Sequence, residues 1–222
     1  MKRLFICFAL FLISPICLAK YEPLTLYHLA IQSDKVVVGT IVDESSEFFT
    51  IQIERSLDND WGFLTIRKFQ DWTCAARWTP YEVGQRLLFF LVQKEGVLYT
   101  LGAGNEGEMP LKDENVYIPD QCVTSYTFLN TGQGSAQEEE FIWGVKPRYI
   151  FGGRFHGFEH KLSDLLELVE KIRSCFWIDE GSEWPYEKGF RCEEEKLKQL
   201  SEKSQLFRWA YLDFKSQIKK AI

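Results

Sequence analysis

The residues best suited to chemistry are His156-Gly157-Phe158-Glu159-His160, which match the H-x-x-E-H pattern of inverted zinc proteases. That chemistry needs two imidazoles one helical turn apart on one face. It also needs a carboxylate beside the metal-bound water as general base. Gly152, Gly153 and Gly157 are poor helix residues, and the stretch after His160 is short for the further ligand helix. The preferred reading is a turn with surface histidines leading into a helix, with no bound metal or cofactor. A small zinc-dependent hydrolase using His156, Glu159 and His160 is the alternative.

No other catalytic set assembles. G-x-S-x-G, P-loop and G-x-G-x-x-G patterns are absent. The Gly-rich run Gly102 to Gly107 meets Pro110 where a phosphate-binding helix would begin, so it reads as a surface turn. Asp58/Asp60 and Glu138-Glu139-Glu140 read as solvated loop charges, and no EF-hand spacing accompanies them. A cysteine nucleophile would need a reduced thiol beside a histidine, whereas each cysteine after the N-terminal segment has a candidate disulfide partner. The chain therefore reads as non-enzymatic.

The N-terminus supplies the compartment. Lys2 and Arg3 precede an apolar run from Leu4 to Ile13, ended by Ser14-Pro15, and Cys17-Leu18-Ala19 offers small residues for cleavage before Lys20. The run is too short to span a bilayer, which takes about 20 residues. Residues 1–19 read as a secretory signal, so the mature protein is secreted or periplasmic with no transmembrane segment. Cys7 and Cys17 would leave with it.

Cys74, Cys122, Cys175 and Cys192 remain, and an even number in an exported chain suggests disulfides with three connectivities open. Cys175–Cys192 is favoured because it closes a short aperiodic loop containing Trp177, Trp184 and Pro185; Cys74–Cys122 is its complement. The whole chain carries 26 Lys+Arg against 32 Asp+Glu, a net charge of −6. That balance disfavours nucleic acid, which calls for clustered basic surface.

Several elements must position these residues. Leu24 to Ile31 predicts a short helix after Pro23. Val36 to Val42 is β-branched and nearly continuous, as in a strand buried on both faces. Phe49, Ile51, Ile53 and Arg55 alternate with polar residues, as do Leu64 to Phe69. Arg86 to Gln93 is the most apolar run, and Val97 to Leu101 follows across Lys94-Glu95-Gly96. Strands this short and close, with no helical period between them, predict a small closed barrel or sandwich. A further strand is expected at Val116-Tyr117-Ile118. Residues 130–140 read as a mobile loop or boundary.

Beyond it the period changes. Leu162, Leu165, Val169, Ile172 and Phe176 form a helical stripe with Ser163 as N-cap. A long amphipathic helix is expected from about Glu193 to Lys220, with Leu197, Leu200, Phe207, Tyr211, Phe214 and Ile218 on one stripe and Ser204 in its polar slot. Leu206, Trp209 and Leu212 lie off that stripe and predict either docking on the barrel or contact with a partner; a structural envelope component that docks on an envelope complex or forms a homodimer through residues 193–220 is the second alternative function.

The strand pattern carries a resemblance. SDKVVVGTIVD, TIQIERSL, Cys74, and YEVGQRLLFFL before VLYTLGAGNEGEMPL look like a bacterial secreted netrin-like module, the OB-type barrel also found in tissue inhibitors of metalloproteinases. The likeness spans about residues 33–111. It implies a mainly β chain, a five-stranded OB-type barrel whose rim binds other proteins, here followed by a C-terminal helical extension. Those inhibitors chelate the protease metal through an N-terminal cysteine. This mature chain would start Lys20-Tyr21-Glu22-Pro23, so chelation does not carry over. The cysteine usual after the fifth strand is also missing, which leaves Cys122 as the partner for Cys74.

The expected organisation is a signal (1–19), a barrel (20–128), a loop, short helix and cysteine-closed loop (129–192), and a long helix (193–222). Trp72, Arg77, Trp78 and Tyr81 around Cys74 are the candidate ligand face, since OB barrels stack bases or sugars on aromatics. Burying the disulfide and closing the barrel end is the structural reading of the same cluster. The expected function is a binding module with a protein partner.

Overall fold

In a computed structural model, residues 23–72, 75–103, 106–123, 148–150, 155–178, 187–190 and 192–220 are described. The expected signal, Cys7, Cys17, Cys74 and the loop at 130–140 lie outside them. Five strands close a barrel: β1 (Lys35–Glu44), β2 (Phe48–Ser56), β3 (Phe63–Arg67), β4 (Arg86–Lys94) and β5 (Val97–Thr100). Their order around the wall is β1-β2-β3-β5-β4, with β4 returning to β1. All neighbours are antiparallel except β3 and β5, which run parallel through Ile66↔Leu98 and Arg67↔Tyr99. Of the barrel and the sandwich that the strand runs allow, the chain forms the closed barrel, with the mixed OB-type wall that the resemblance implies.

Each wall strand works on two faces because side chains alternate. Val37 and Ile41 of β1, with Phe49, Ile51, Ile66, Leu87, Phe89, Leu91 and Leu98, fill the barrel. Val36 and Val38, with Leu88 and Phe90, point outward into a second core. Fully burying each such side chain stabilises by about 1.5–3 kcal/mol. Gly39 lets β1 and β2 approach closely: a Cβ there would lie 2.8 Å from the Gln52 carbonyl oxygen. The β1–β2 register shifts at that point, between Val38 and Gly39.

The sheet continues outside the barrel. β6 (Glu108–Lys112) pairs with β4 at Leu87 to Phe89, and β7 (Asn115–Pro119), β9 (Phe155–Lys161) and β8 (Arg148–Ile150) follow in that spatial order. Helices α1 (Leu26–Gln32), α2 (Leu162–Cys175), α3 (Glu194–Lys203) and α4 (Gln205–Lys220) complete the fold. Leu26 and Leu29 of α1, Leu165 and Val169 of α2, and Leu206 and Trp209 of α4 cover the second core. Arg173 of α2 ties it to the barrel, donating to the Ala30 and Ser33 carbonyls and to Asp58.

Four expectations need correcting. The H-x-x-E-H run is a strand, not a turn. Glycine at 157 suits it because a Cβ would lie 2.3 Å from the Ile118 carbonyl oxygen on neighbouring β7. The long C-terminal helix breaks at Ser204, which is extended (φ −139, ψ 130). The break redirects α4 so that Leu206, Trp209 and Leu212 become its core face, while Phe207 and Tyr211 are only partly covered. The second helix starts at Leu162, so Ser163 lies inside its first turn, and Phe176 belongs to β10 (Phe176–Ile178), which pairs with β11 (Glu187–Phe190). Finally, Cys122 is a free thiol rather than a disulfide partner, because the 3-10 turn Asp120–Cys122 carries it into the helix-facing core. The Cys175–Cys192 bridge is present, joining the end of α2 to the residue two before α3.

Candidate functional site

The connection between β3 and β4 holds the sequence-predicted aromatic cluster, and its polar groups converge on a residue that the sequence reading did not single out, Glu108. This carboxylate, on β6, is fully buried. Arg77 donates from Nε to Glu108 Oε2 at 2.6 Å, and the Tyr81 hydroxyl donates to Oε1 at 2.7 Å. The rest of the Arg77 guanidinium donates to the Thr79 and Pro80 carbonyls and to Gln85. Its Cζ lies 3.9 Å from the centre of the Tyr81 ring, which stacks in turn on Phe49 inside the barrel. Burial, reinforced by the neighbouring Glu108 charge, holds the Tyr81 phenol far above its ordinary range. Trp78 meets Phe155 of β9 edge to face at 5.8 Å and packs against the barrel core. Arg77, Trp78 and Tyr81 thus bolt the connection shut over the barrel. Trp72 is 47% exposed, and its backbone bridges to that of Ala75.

The strand conformation separates the members of the histidine motif. Phe158 and His160 lie on one face of the strand and Phe155 and Glu159 on the other. Glu159 takes the opposite face from His160 and accepts from Asn115 Nδ2 at 2.8 Å. His160 faces α4, edge to face with Trp209 at 5.2 Å, and its Nε2 is buried without a hydrogen-bond partner. Burial lowers the basicity of this imidazole, against the opposing pull of Asp164 and Glu159. The zinc reading calls for two imidazoles one helical turn apart, and this run is a strand. Among the described residues, no group of three or more His, Cys, Asp or Glu is placed to hold a metal ion.

A second polar cluster pins α1 to α4. The Thr25 hydroxyl contacts Asp213 and lies 2.9 Å from His28 Nδ1, and all three residues are buried. Thr25 and Asp213 are 188 residues apart, so no local pattern announces the contact.

One surface combines rigidity with exposed aromatics. The β2–β3 connection is fixed by Asp58, which accepts from the Val36 amide (2.7 Å) and from Arg173 (2.9 Å). Lys35 pairs with Asp60 at 2.6 Å, and Ser56 Oγ receives the Asp58 and Asp60 amides. Asn59 and Gly62 turn the chain with φ of 60 and 77. From this fixed loop Trp61 projects 87% exposed, and Phe63, at the start of β3, is 64% exposed. Sequence signals could find the turn, but residue type alone does not report which rings a turn leaves in solvent, so neither ring is singled out from sequence.

Among the described residues, no helix is long and apolar enough to cross a membrane. No family model, curated protein or solved structure matches this chain.

Proposed function

We propose that this chain is an exported, non-enzymatic binding module, with the outer face of β2 and β3 as its working surface. The observation that carries the reading is Trp61 with Phe63, two large rings left in solvent by a loop that six hydrogen bonds hold in place. Fixing a contact group in advance lowers the ordering cost of binding. Polar side chains of the two candidate clusters are committed internally: Arg77 and Tyr81 to Glu108, Glu159 to Asn115. Export is supported by the basic-then-apolar N-terminus, and the Cys175–Cys192 bridge suits an oxidising compartment. The likeness to netrin-like modules agrees with a barrel whose surface, not its interior, is the functional part.

The test is retention on an envelope fraction of the source cells. Wild-type protein is expected to be retained, and the Trp61→Ala/Phe63→Ala variant, with an unchanged melting curve, to wash through. Equal retention of the two would remove this surface from the function.

A further inference from the structure

Resting on that reading, we infer that the ligand of the β2–β3 face is a neutral oligosaccharide. The face is a strip in which exposed aromatic rings sit among small polar groups. Strand register places Phe63 beside Gln52, Thr65 beside Thr50 and Arg67 beside Phe48. The two threonine hydroxyls are 3.2 Å apart, and Arg67 lies 5.9 Å from the centre of the Tyr99 ring on the adjoining strand. Rings and hydroxyl or carboxamide groups alternating along a strand recur roughly every 6–7 Å, two residues of rise. A pyranose presents the complement: a C–H face that stacks on an aromatic ring, and an equatorial rim of hydroxyls that both donate and accept.

Charge and area narrow the choice. The ionic groups flanking the strip are mostly compensated within the chain: Lys35 by Asp60, Asp58 by Arg173, Glu54 by Arg86, Arg55 by Glu114, Arg67 by Glu47. Asp43, opposite Thr50, adds a carboxylate that accepts hydroxyl hydrogens and repels an anionic ligand. A specific protein interface buries about 800 Å² per partner around an apolar core. The strongly exposed large apolar side chains on this face are two among the described residues, Trp61 and Phe63, with Gln52 across from Phe63 and the Thr50–Thr65 pair next along the strands. Two isolated rings fit sugar stacking and are too little for such a core.

The experiment extends the retention assay with two treatments of the envelope fraction. Exhaustive protease digestion should leave retention of the wild-type protein within twofold. Periodate, which cleaves the vicinal diols of sugars, should reduce it at least tenfold. Loss on proteolysis, or survival of periodate, overturns the oligosaccharide assignment while a Trp61-dependent retention keeps the binding-module reading. Retention indifferent to Trp61→Ala and Phe63→Ala overturns both. Raising salt tenfold should change retention less than twofold, and a steep salt dependence would instead mark a charged ligand.

Discussion

Replacing Arg77 by methionine keeps most of the side-chain length while removing the charge that neutralises Glu108. Both side chains are almost wholly withdrawn from solvent, 3% and 0% exposed. Glu108 would keep the Tyr81 hydroxyl alone, and the Thr79 and Pro80 carbonyls would lose the guanidinium, Pro80 keeping Gln85 Nε2. Breaking a buried pair from one side costs about 3–5 kcal/mol, because the remaining charge stays desolvated without its partner. For a chain of this size that lowers Tm by roughly 6–20 °C. Urea unfolding at pH 7, followed by tryptophan fluorescence and far-UV circular dichroism, measures it, and coincident transitions license two-state treatment. The partner variant Glu108→Leu should be similarly damaged. The double variant Arg77→Met/Glu108→Leu should be less damaged than the sum, with a coupling of at least about 2 kcal/mol. Additive singles, or an Arg77→Met cost under about 1 kcal/mol, would refute the view that this pair fastens the β3–β4 connection to β6.

Other perturbations probe separate parts of the fold. His160 is less basic folded than unfolded, so its contribution to stability is complete above the unfolded value of about 6.5 and declines as pH falls below it. Urea titrations at pH 7.5 and 5.5 should show wild type losing more stability than His160→Gln. Trp209→Ala should cost about 3–5 kcal/mol in the same assay, since the ring is 1% exposed against Phe158 and His160. Cys175→Ser/Cys192→Ser removes a bridge across 17 positions, worth about 3 kcal/mol in the chain-entropy model. Cys122 should resist alkylation by iodoacetamide in native protein and react after denaturation. Burial, with Glu106 and Asp120 nearby, pushes its thiol well above the ordinary range. Trp61→Ala should change stability by less than about 0.5 kcal/mol, because its ring contacts mainly solvent.

The barrel was legible because its signal is local. The valine run of β1 and the apolar run of β4 look continuous since alternate residues serve two cores, Val37 and Leu87 inside, Val36 and Leu88 outside. The short helix at Leu26–Gln32 and the strand at Asn115–Pro119 were equally readable. The strand through His156 and His160 was not, because Gly157 and mixed polar residues mask its period of two. Its shape is set by pairing with β7, 38 or more positions away at every partner but visible in no window of sequence. The 3,4 repeat across residues 197–218 continued through Ser204 on paper. Covering the second core required Leu206, Trp209 and Leu212 instead, and tertiary packing prevailed over the repeat. The same limit applies to the site. Trp72, Arg77, Trp78 and Tyr81 were found as a cluster, but their roles depend on Glu108, which stands 31 positions from Arg77. Trp61 and Phe63 were passed over because residue type cannot report that a ring remains in water.

The most direct measurement is fluorine NMR of protein labelled with 5-fluorotryptophan, titrated with solubilised envelope material. The seven tryptophans give separate resonances, and Trp61 is assigned by its loss in Trp61→Phe. The Trp61 resonance should shift or broaden saturably while that of buried Trp209 stays fixed. Binding that leaves the Trp61 resonance unchanged would contradict the assignment of the working surface to the β2–β3 face.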